Sequence, residues 1–181
     1  MPILCVGLGN PGEEYATTHH NAGFMFLDVL ADKLGVMHWK PQFEGLVAAA
    51  QSPDLGKLVL LKPQTYMNAS GRSVAACLNF FKLTPQQLVV FHDDLDVPVG
   101  AYKVKKSGSH GGHNGLRDIH RATGTDGYVR VRIGIGRPED KDQVRDYVLS
   151  PFSKADLESL SRCFTDIFLK LGEILPSGEG L

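Results

Sequence analysis

The residues of this chain best suited to acid–base chemistry stand where short apolar runs give way to polar loops. Asn10 and His20 follow the run at residues 3–6, Asn68 follows residues 58–62, Asp93 ends residues 88–91, and His113 and Asn114 close the glycine-rich stretch SGSHGGHNG. A histidine beside a carboxylate is a base for water, because the carboxylate fixes the ring tautomer and stabilises the imidazolium formed when a proton is taken. Asparagine amides can donate to a developing oxyanion or hold a substrate amide. Without a nucleophile or metal motif, this set suits direct attack of water on an activated ester. Each residue alone has a plainer explanation, since asparagines favour turns and caps and isolated histidines are more often structural. Four such loops converging above one sheet point to a site.

Other chemistries are poorly supported. Gly7, Gly9 and Gly12 satisfy G-x-G-x-x-G after an apolar run, but Glu13 and Glu14 follow where a pyrophosphate would be repelled, and the next helical pattern starts some ten residues later. His92, His110, His113, Asp93, Asp94 and Asp96 lack the spacing of a known metal site. No serine sits in a G-x-S-x-G elbow, and Ser70 before Gly71 reads as a helix N-terminal residue. Cys5, Cys77 and Cys163 are odd in number, far apart and set in apolar patterns, as small buried hydrophobes would be, so neither a disulfide nor redox chemistry is expected.

The elements that must position these residues follow from periodicity. Residues 3–6 read as a buried strand, and Phe24, Leu27, Leu30, Ala31 and Leu34 recur at helical spacing before a stop at Gly35. Residues 46–51 and 58–62 are strands joined tightly by SPDLG, and Val74, Cys77, Leu78 and Phe81 mark a second helix. Residues 88–91 form a buried strand, 102–105 a more polar one, and Leu116 and Ile119 begin a short helix. Residues 128–135 alternate Val129, Val131 and Ile133 with Arg130 and Arg132, which predicts a half-exposed strand with its arginines on one face. Apolar residues from Leu157 to Leu171 predict a closing helix, capped by Ser153 and stopped by Pro176.

At 181 residues with 43% hydrophobic content, the chain suits one folded domain over residues 1–181 and excludes disorder. It has neither an apolar run of the roughly 20 residues that span a bilayer nor the order of a signal peptide, so a soluble cytoplasmic protein is expected. Its formal net charge is −1, yet residues 103–137 hold eight basic residues against two acids. Such asymmetry fits a polyanion partner or, more plainly, a solvated charged face.

The segments VGLGNPGEEYATTHHNAGF, KPQTYMNASGRSV, VFHDDLDVPVGAYKVKKSGSHGGHNGLRDI and VRVRIGIGRP together resemble the bacterial peptidyl-tRNA hydrolase family, in the same order and spacing over nearly the whole chain. The resemblance implies a three-layer α/β domain with a mixed sheet between helices, acting as a cytoplasmic monomer without metal or cofactor. It implies hydrolysis of the ester joining a prematurely released peptide to tRNA. His20 then matches the catalytic base, Asp93 the carboxylate that supports it, and Asn10 the residue that senses the acylated amino group. Tyr15, Tyr66, Asn68 and Asn114 match positions that contact the substrate's end, with Met67 and His113 beside them, although Tyr66 and Met67 also read as core filler. Lys103, Lys105, Lys106 and Arg132 resemble the phosphate-binding face. His19 departs from the family, standing where arginine is frequent, so a proton or phosphate contact differs there or His20 is perturbed. The tail PSGEGL is short, which puts in question any tRNA contact made by a longer terminus. Two other classes stay open: an RNA-binding module that needs the basic face but not the His20 and Asp93 pair, and a nucleotide-dependent enzyme that uses the glycine loop.

Overall fold

Successive residues of a strand point to opposite faces of its sheet, and the opening strand is apolar on both. In the computed structural model, which describes residues 1–177, Ile3 and Cys5 of β1 (Ile3–Gly7) enter one core while Leu4 and Val6 enter another. The same division holds in β5 (Leu88–Asp94), where Val89 and Phe91 face the first core and Leu88 and Val90 the second. Helices α1 (Ala22–Lys33) and α5 (Lys154–Ile174) close the first core through Phe26, Leu27, Leu30, Phe164 and Ile167. Helices α2 (Ser70–Phe81) and α3 (Asn114–Thr123) close the second through Val74, Cys77, Leu116 and Ile119. The result is the expected three-layer α/β arrangement.

The sheet has seven strands in the order β2-β3-β4-β1-β5-β7-β6, with β2 at Lys40–Gln42, β3 at Gly45–Ser52, β4 at Gly56–Pro63, β6 at Tyr102–Lys105 and β7 at Val129–Gly134. Strands β4, β1, β5 and β7 are mutually parallel, whereas β2, β3 and β6 run antiparallel to their neighbours, so the sheet is mixed. Because the four central strands share a direction, the loops after β1, β4 and β5 emerge at one edge and carry Asn10, His20 and Asn68 toward Asp93. The glycine-rich segment behaves differently. It leaves β6, whose last residue Lys105 pairs with Arg130 near the start of β7, and must double back to bring His113 to Asp93, which pairs with Ile133.

Several local expectations are met. The SPDLG segment closes a hairpin between Ser52 and Gly56, Gly35 takes a left-handed φ of 72° after α1, and the Ser153 hydroxyl accepts the Asp156 N–H at the start of α5. The three cysteines are free and buried. Strand β7 corrects the expectation of a half-exposed strand. Arg130 is only 1% exposed, because the glycine-rich segment closes over it at Ser109 and the loop before β7 at Asp126. Two further elements, β2, a three-residue edge strand containing Pro41, and the five-residue α4 (Val144–Val148), are too short to show a period in the sequence. Among the described residues no helix is long and apolar enough to cross a membrane. Residues 178–181, which end the PSGEGL tail, lie outside the described residues.

Helix α1 approaches the sheet through glycine. A Cβ at Gly23 would lie 2.3 Å from the Phe91 carbonyl oxygen and 2.6 Å from the Leu8 nitrogen, both backbone atoms that cannot swing aside. Gly23→Ala is therefore expected to lower stability by about 1–3 kcal/mol or more, read as a fall in the urea midpoint. Gly172→Ala in α5, where a Cβ meets nothing within 4 Å, should instead raise stability by about 0.5–1 kcal/mol.

Candidate active site

Asp93 stands next to the last residue of β5, buried to 2% exposure, and its two carboxylate oxygens are both engaged. Oδ2 lies 2.8 Å from His20 Nδ1 and Oδ1 lies 2.8 Å from His113 Nε2. A carboxylate placed here alone would be costly, so the two imidazoles are what make the ionised form tolerable. Burial opposes ionisation of Asp93, but the attraction of His20 and His113 whenever either ring is protonated, with the hydrogen bonds both donate, outweighs it and holds the carboxyl far below the usual range.

The ring protons can be assigned from the surrounding bonds. His113 is the N-cap of α3, and its Nδ1 accepts the Leu116 N–H at 3.3 Å, so the neutral ring carries its proton on Nε2 and donates it to Asp93. His20 likewise donates from Nδ1 to Asp93, which leaves Nε2 with a lone pair. Desolvation lowers the His20 pKa, but the charge and hydrogen bond of Asp93 more than reverse this, and the net direction is upward from 6.5. His92, fully buried behind this pair, is pushed down to about 3 by desolvation and by His113, and its ring meets that of His113 edge-on at 5.0 Å. It is therefore a neutral wall of the site.

His20, Asp93 and His113 present nitrogen and oxygen atoms within 4.8 Å of one another, a spacing that a cation could bridge. The chemistry of the donors argues otherwise. A neutral His113 that accepts a backbone N–H at Nδ1 has no lone pair left at Nε2 to give a metal. The set fits a hydrogen-bonded relay better than a ligand shell.

Around the relay lies an open cavity of about 750 Å³, lined by Asn10, His20, Tyr66, Met67, Asn68, His92, Asp93, His113 and Asn114 on one side. Asn10 is fastened at three points. Its N–H donates to Asn21 Oδ1 at 2.8 Å, its carbonyl accepts from Asn21 Nδ2 at 3.0 Å, and its side-chain Oδ1 accepts the Met67 N–H at 2.8 Å. The last bond orients the amide, so that Nδ2 is a donor with no partner among the described residues. Asn68 and Asn114 are exposed, and Tyr66 is 53% exposed with a left-handed φ of 62°. Met67 is buried, its sulfur close to Gly115, so the core-filler reading fits Met67 and not Tyr66.

Lys105, Arg132, Arg137 and Arg145 bring positive charge to the far wall, with Val144, Val148 and Leu149 of the α4 region beside them. Arg132 Nε donates to Asp94 at 2.8 Å. Burial opposes ionisation of Asp94, but the hydrogen bonds from Arg132 and the Asp96 N–H, with the Arg132 charge, keep its carboxyl below the usual range. Three residues named from sequence do not line this cavity. Tyr15 lies half-buried on the 3₁₀ turn Glu13–Tyr15, and Lys103 and Lys106 are exposed on and beside β6. His19 is turned away and buried. Its Nδ1 donates to the Ser150 carbonyl at 2.7 Å and its ring stacks on Tyr147 at 4.2 Å, so neither a phosphate contact nor a perturbation of His20 issues from it. No α-helix opens at Gly12, where φ is 110° and only the three-residue 3₁₀ turn Glu13–Tyr15 follows, which removes the dinucleotide fingerprint.

Sequence reasoning missed Asn21, the hydrogen bond from His113 to Asp93, and the contribution of α4. Asn21 follows His20 directly in HHN, and this was a signal that could have been used. The other two depend on which long-range partner a side chain meets.

The same arrangement of chain recurs in known proteins. The family model described as peptidyl-tRNA hydrolase matches residues 4–179. The peptidyl-tRNA hydrolase of Geobacter metallireducens is 49% identical over 175 residues, covering 97% of this chain and 89% of that protein. That of Dinoroseobacter shibae is 51% identical over 173 residues, covering 96% of this chain and 71% of its own. The crystal structure of peptidyl-tRNA hydrolase from Acinetobacter baumannii superposes with a TM-score of 0.88 at 41% identity, covering 98% of this chain and 89% of that one. A match spanning the sheet, all four loops of the cavity and the relay is a match of the whole molecule, and the chain belongs to the peptidyl-tRNA hydrolase family.

Proposed function

We propose that this chain, as one domain over residues 1–181, hydrolyses the ester bond of peptidyl-tRNA with His20 as general base. The observation that carries the reading is the buried Asp93 carboxylate held between two imidazoles, one of which presents a free Nε2 to a cavity open to a large substrate. Water attacks the ester carbonyl carbon while His20 Nε2 takes its proton. The resulting tetrahedral oxyanion collapses by breaking the bond to the ribose oxygen, and the imidazolium returns the proton to that leaving oxygen. Asp93 holds the tautomer and stabilises the imidazolium, a contribution of roughly 10²- to 10⁴-fold. The products are a free peptide acid and a reusable tRNA, a role in translation and in rescuing tRNA from stalled synthesis.

Asn10 supports discrimination against unblocked aminoacyl-tRNA. Its Nδ2 can donate to the acyl carbonyl of a peptide, whereas a free ammonium offers only donors, and a lost hydrogen bond at a built site is a large penalty. Asn68 and Asn114, exposed on either side of the relay, hold the attacking water and the substrate's end. Tyr66 offers an aromatic face for a terminal base or ribose. Lys105 and Arg132 at the cavity wall, with Lys103 and Lys106 beyond it, meet phosphates without reading sequence. Tyr15, outside the cavity, contacts only a substrate that extends past its mouth. The enzyme works as a cytoplasmic monomer and needs no metal.

The decisive experiment is peptide release from N-acetyl-aminoacyl-tRNA beside unblocked aminoacyl-tRNA, with EDTA present. Cleavage of the blocked substrate alone, abolished in a folded His20→Ala protein, is the expected result. Well-folded wild-type protein that binds tRNA and cleaves nothing would leave only the RNA-binding module. The raised His20 pKa sets a second expectation. The base must be neutral, so kcat/KM should begin to fall above pH 6.5 as pH is lowered. In Asp93→Asn the rate should drop by about 10²- to 10⁴-fold, and the acid limb should move to lower pH because the carboxylate that raised the pKa is gone. Lys105→Ala should weaken tRNA binding and make the slope of log K against log salt shallower by about 0.9.

A further inference from the structure

Arg130 is fully buried, yet among the described residues it makes no ion pair. Its Nη1 donates to the Ser109 carbonyl at 2.9 Å and its Nη2 to the Asp126 carbonyl at 2.5 Å, with the guanidinium carbon 4.8 Å from the centre of the Tyr128 ring. Burying a guanidinium against backbone carbonyls is expensive, and what it secures is the path of two loops. One of them is the segment from Lys106 to Gly112, where Gly108, Gly111 and Gly112 all have left-handed φ values of 115°, 60° and 83°. Such a segment loses much conformational entropy on being ordered, and it must double back along the sheet to deliver His113. Its fastenings are few. Arg130 and Lys105 Nζ both donate to Ser109 O, and the His113 N–H donates to His110 O immediately afterwards.

We infer that Arg130 is a positioning residue: by holding Ser109 it seats His113 against Asp93, and so sets how strongly Asp93 binds the proton of His20. This rests on the reading of His20 and Asp93 as base and carboxylate. With His113 in place, Asp93 shares its charge between two donors. With His113 displaced, His20 is the sole donor, its imidazolium is better stabilised, and it keeps its proton to higher pH. A direct charge effect is not the route, because the charges acting on Asp93 are those of His20 and His113, while those facing Arg130 are Tyr128, Asp126, Arg132 and, from α3, His120.

The test is the pH profile of kcat/KM on N-acetyl-aminoacyl-tRNA for wild type, Arg130→Met, His113→Asn and the double variant. His113→Asn keeps a good N-cap for α3 while losing the reach to Asp93. Arg130→Met should lose roughly tenfold in kcat/KM, as expected for one lost hydrogen bond, and its acid limb should move to higher pH, as in His113→Asn. The double variant should be no worse than His113→Asn alone. Arg130→Lys, which reaches one carbonyl at a time, should show a smaller loss in the same direction and serves if the Met variant does not fold. Additive losses, or an acid limb unmoved by either Arg130 variant while His113→Asn shifts it, would overturn the inference. An acid limb unmoved by His113→Asn itself would overturn the relay and the inference with it.

Discussion

A buried carboxylate bridging two imidazoles is the constraint on which the rest of the site depends. Asp93 is held ionised at 2% exposure by donors on both oxygens, and those donors come from segments 73 and 20 residues away in sequence. Each hydrogen bond to a charged group contributes about 1.5–3 kcal/mol, whereas removal of one partner leaves an uncompensated buried charge. Folding and site assembly are therefore one event. The 3₁₀ turn His19–Asn21 must lie against the end of β5, and α3 must begin where His113 can both cap the helix and meet the carboxylate.

The sheet supplies this arrangement by direction. Parallel β4, β1 and β5 release their loops at one edge, which gathers Asn68, Asn10, His20 and Asp93 without any long excursion. Antiparallel β6 breaks the rule, and the chain compensates with a glycine-rich return whose middle is tied to Arg130 and Lys105. The opposite face of the turn that carries His20 is fixed by a different group. His19 bonds to Ser150, stacks on Tyr147 and meets Phe152 at a tilt, and Thr18 bridges to Pro151, so the turn is held by the approach to α5 as well as by Asp93. At this position, where the resemblance leads one to expect arginine, a flat ring serves as packing.

Much of this was legible in the sequence because local pattern carried it. Continuous apolar runs in β1 and β5, helical spacing in α1, α2 and α5, and the caps at Gly35 and Ser153 are properties of neighbouring residues. What was illegible was set by distant ones. The alternation of Arg130 and Arg132 with valines reads as a solvent face, and only the glycine-rich segment and the loop before β7, closing over that face, bury Arg130. Likewise the sequence places His113 beside a substrate, but its bond to Asp93 follows from the return of the chain along β7. Tyr15 follows from the resemblance alone, and Lys103 and Lys106 from local charge and the resemblance together, and the cavity contains none of them.

On the proposed reading, selectivity needs less apparatus than catalysis. An asparagine amide in water can turn either end to a ligand, and so cannot distinguish an acyl carbonyl from an ammonium. At Asn10 the Met67 N–H occupies Oδ1, and Asn21 holds the backbone on both sides, so the residue can present only its donor to the cavity. The bond to Met67 thus converts an ambivalent group into a directional one. Among the described residues Asn68 and Asn114 have no such restraint, and both are exposed. They remain free to follow a water molecule or a leaving oxygen as charge moves through the reaction, while Asn10 alone is fixed before the substrate arrives.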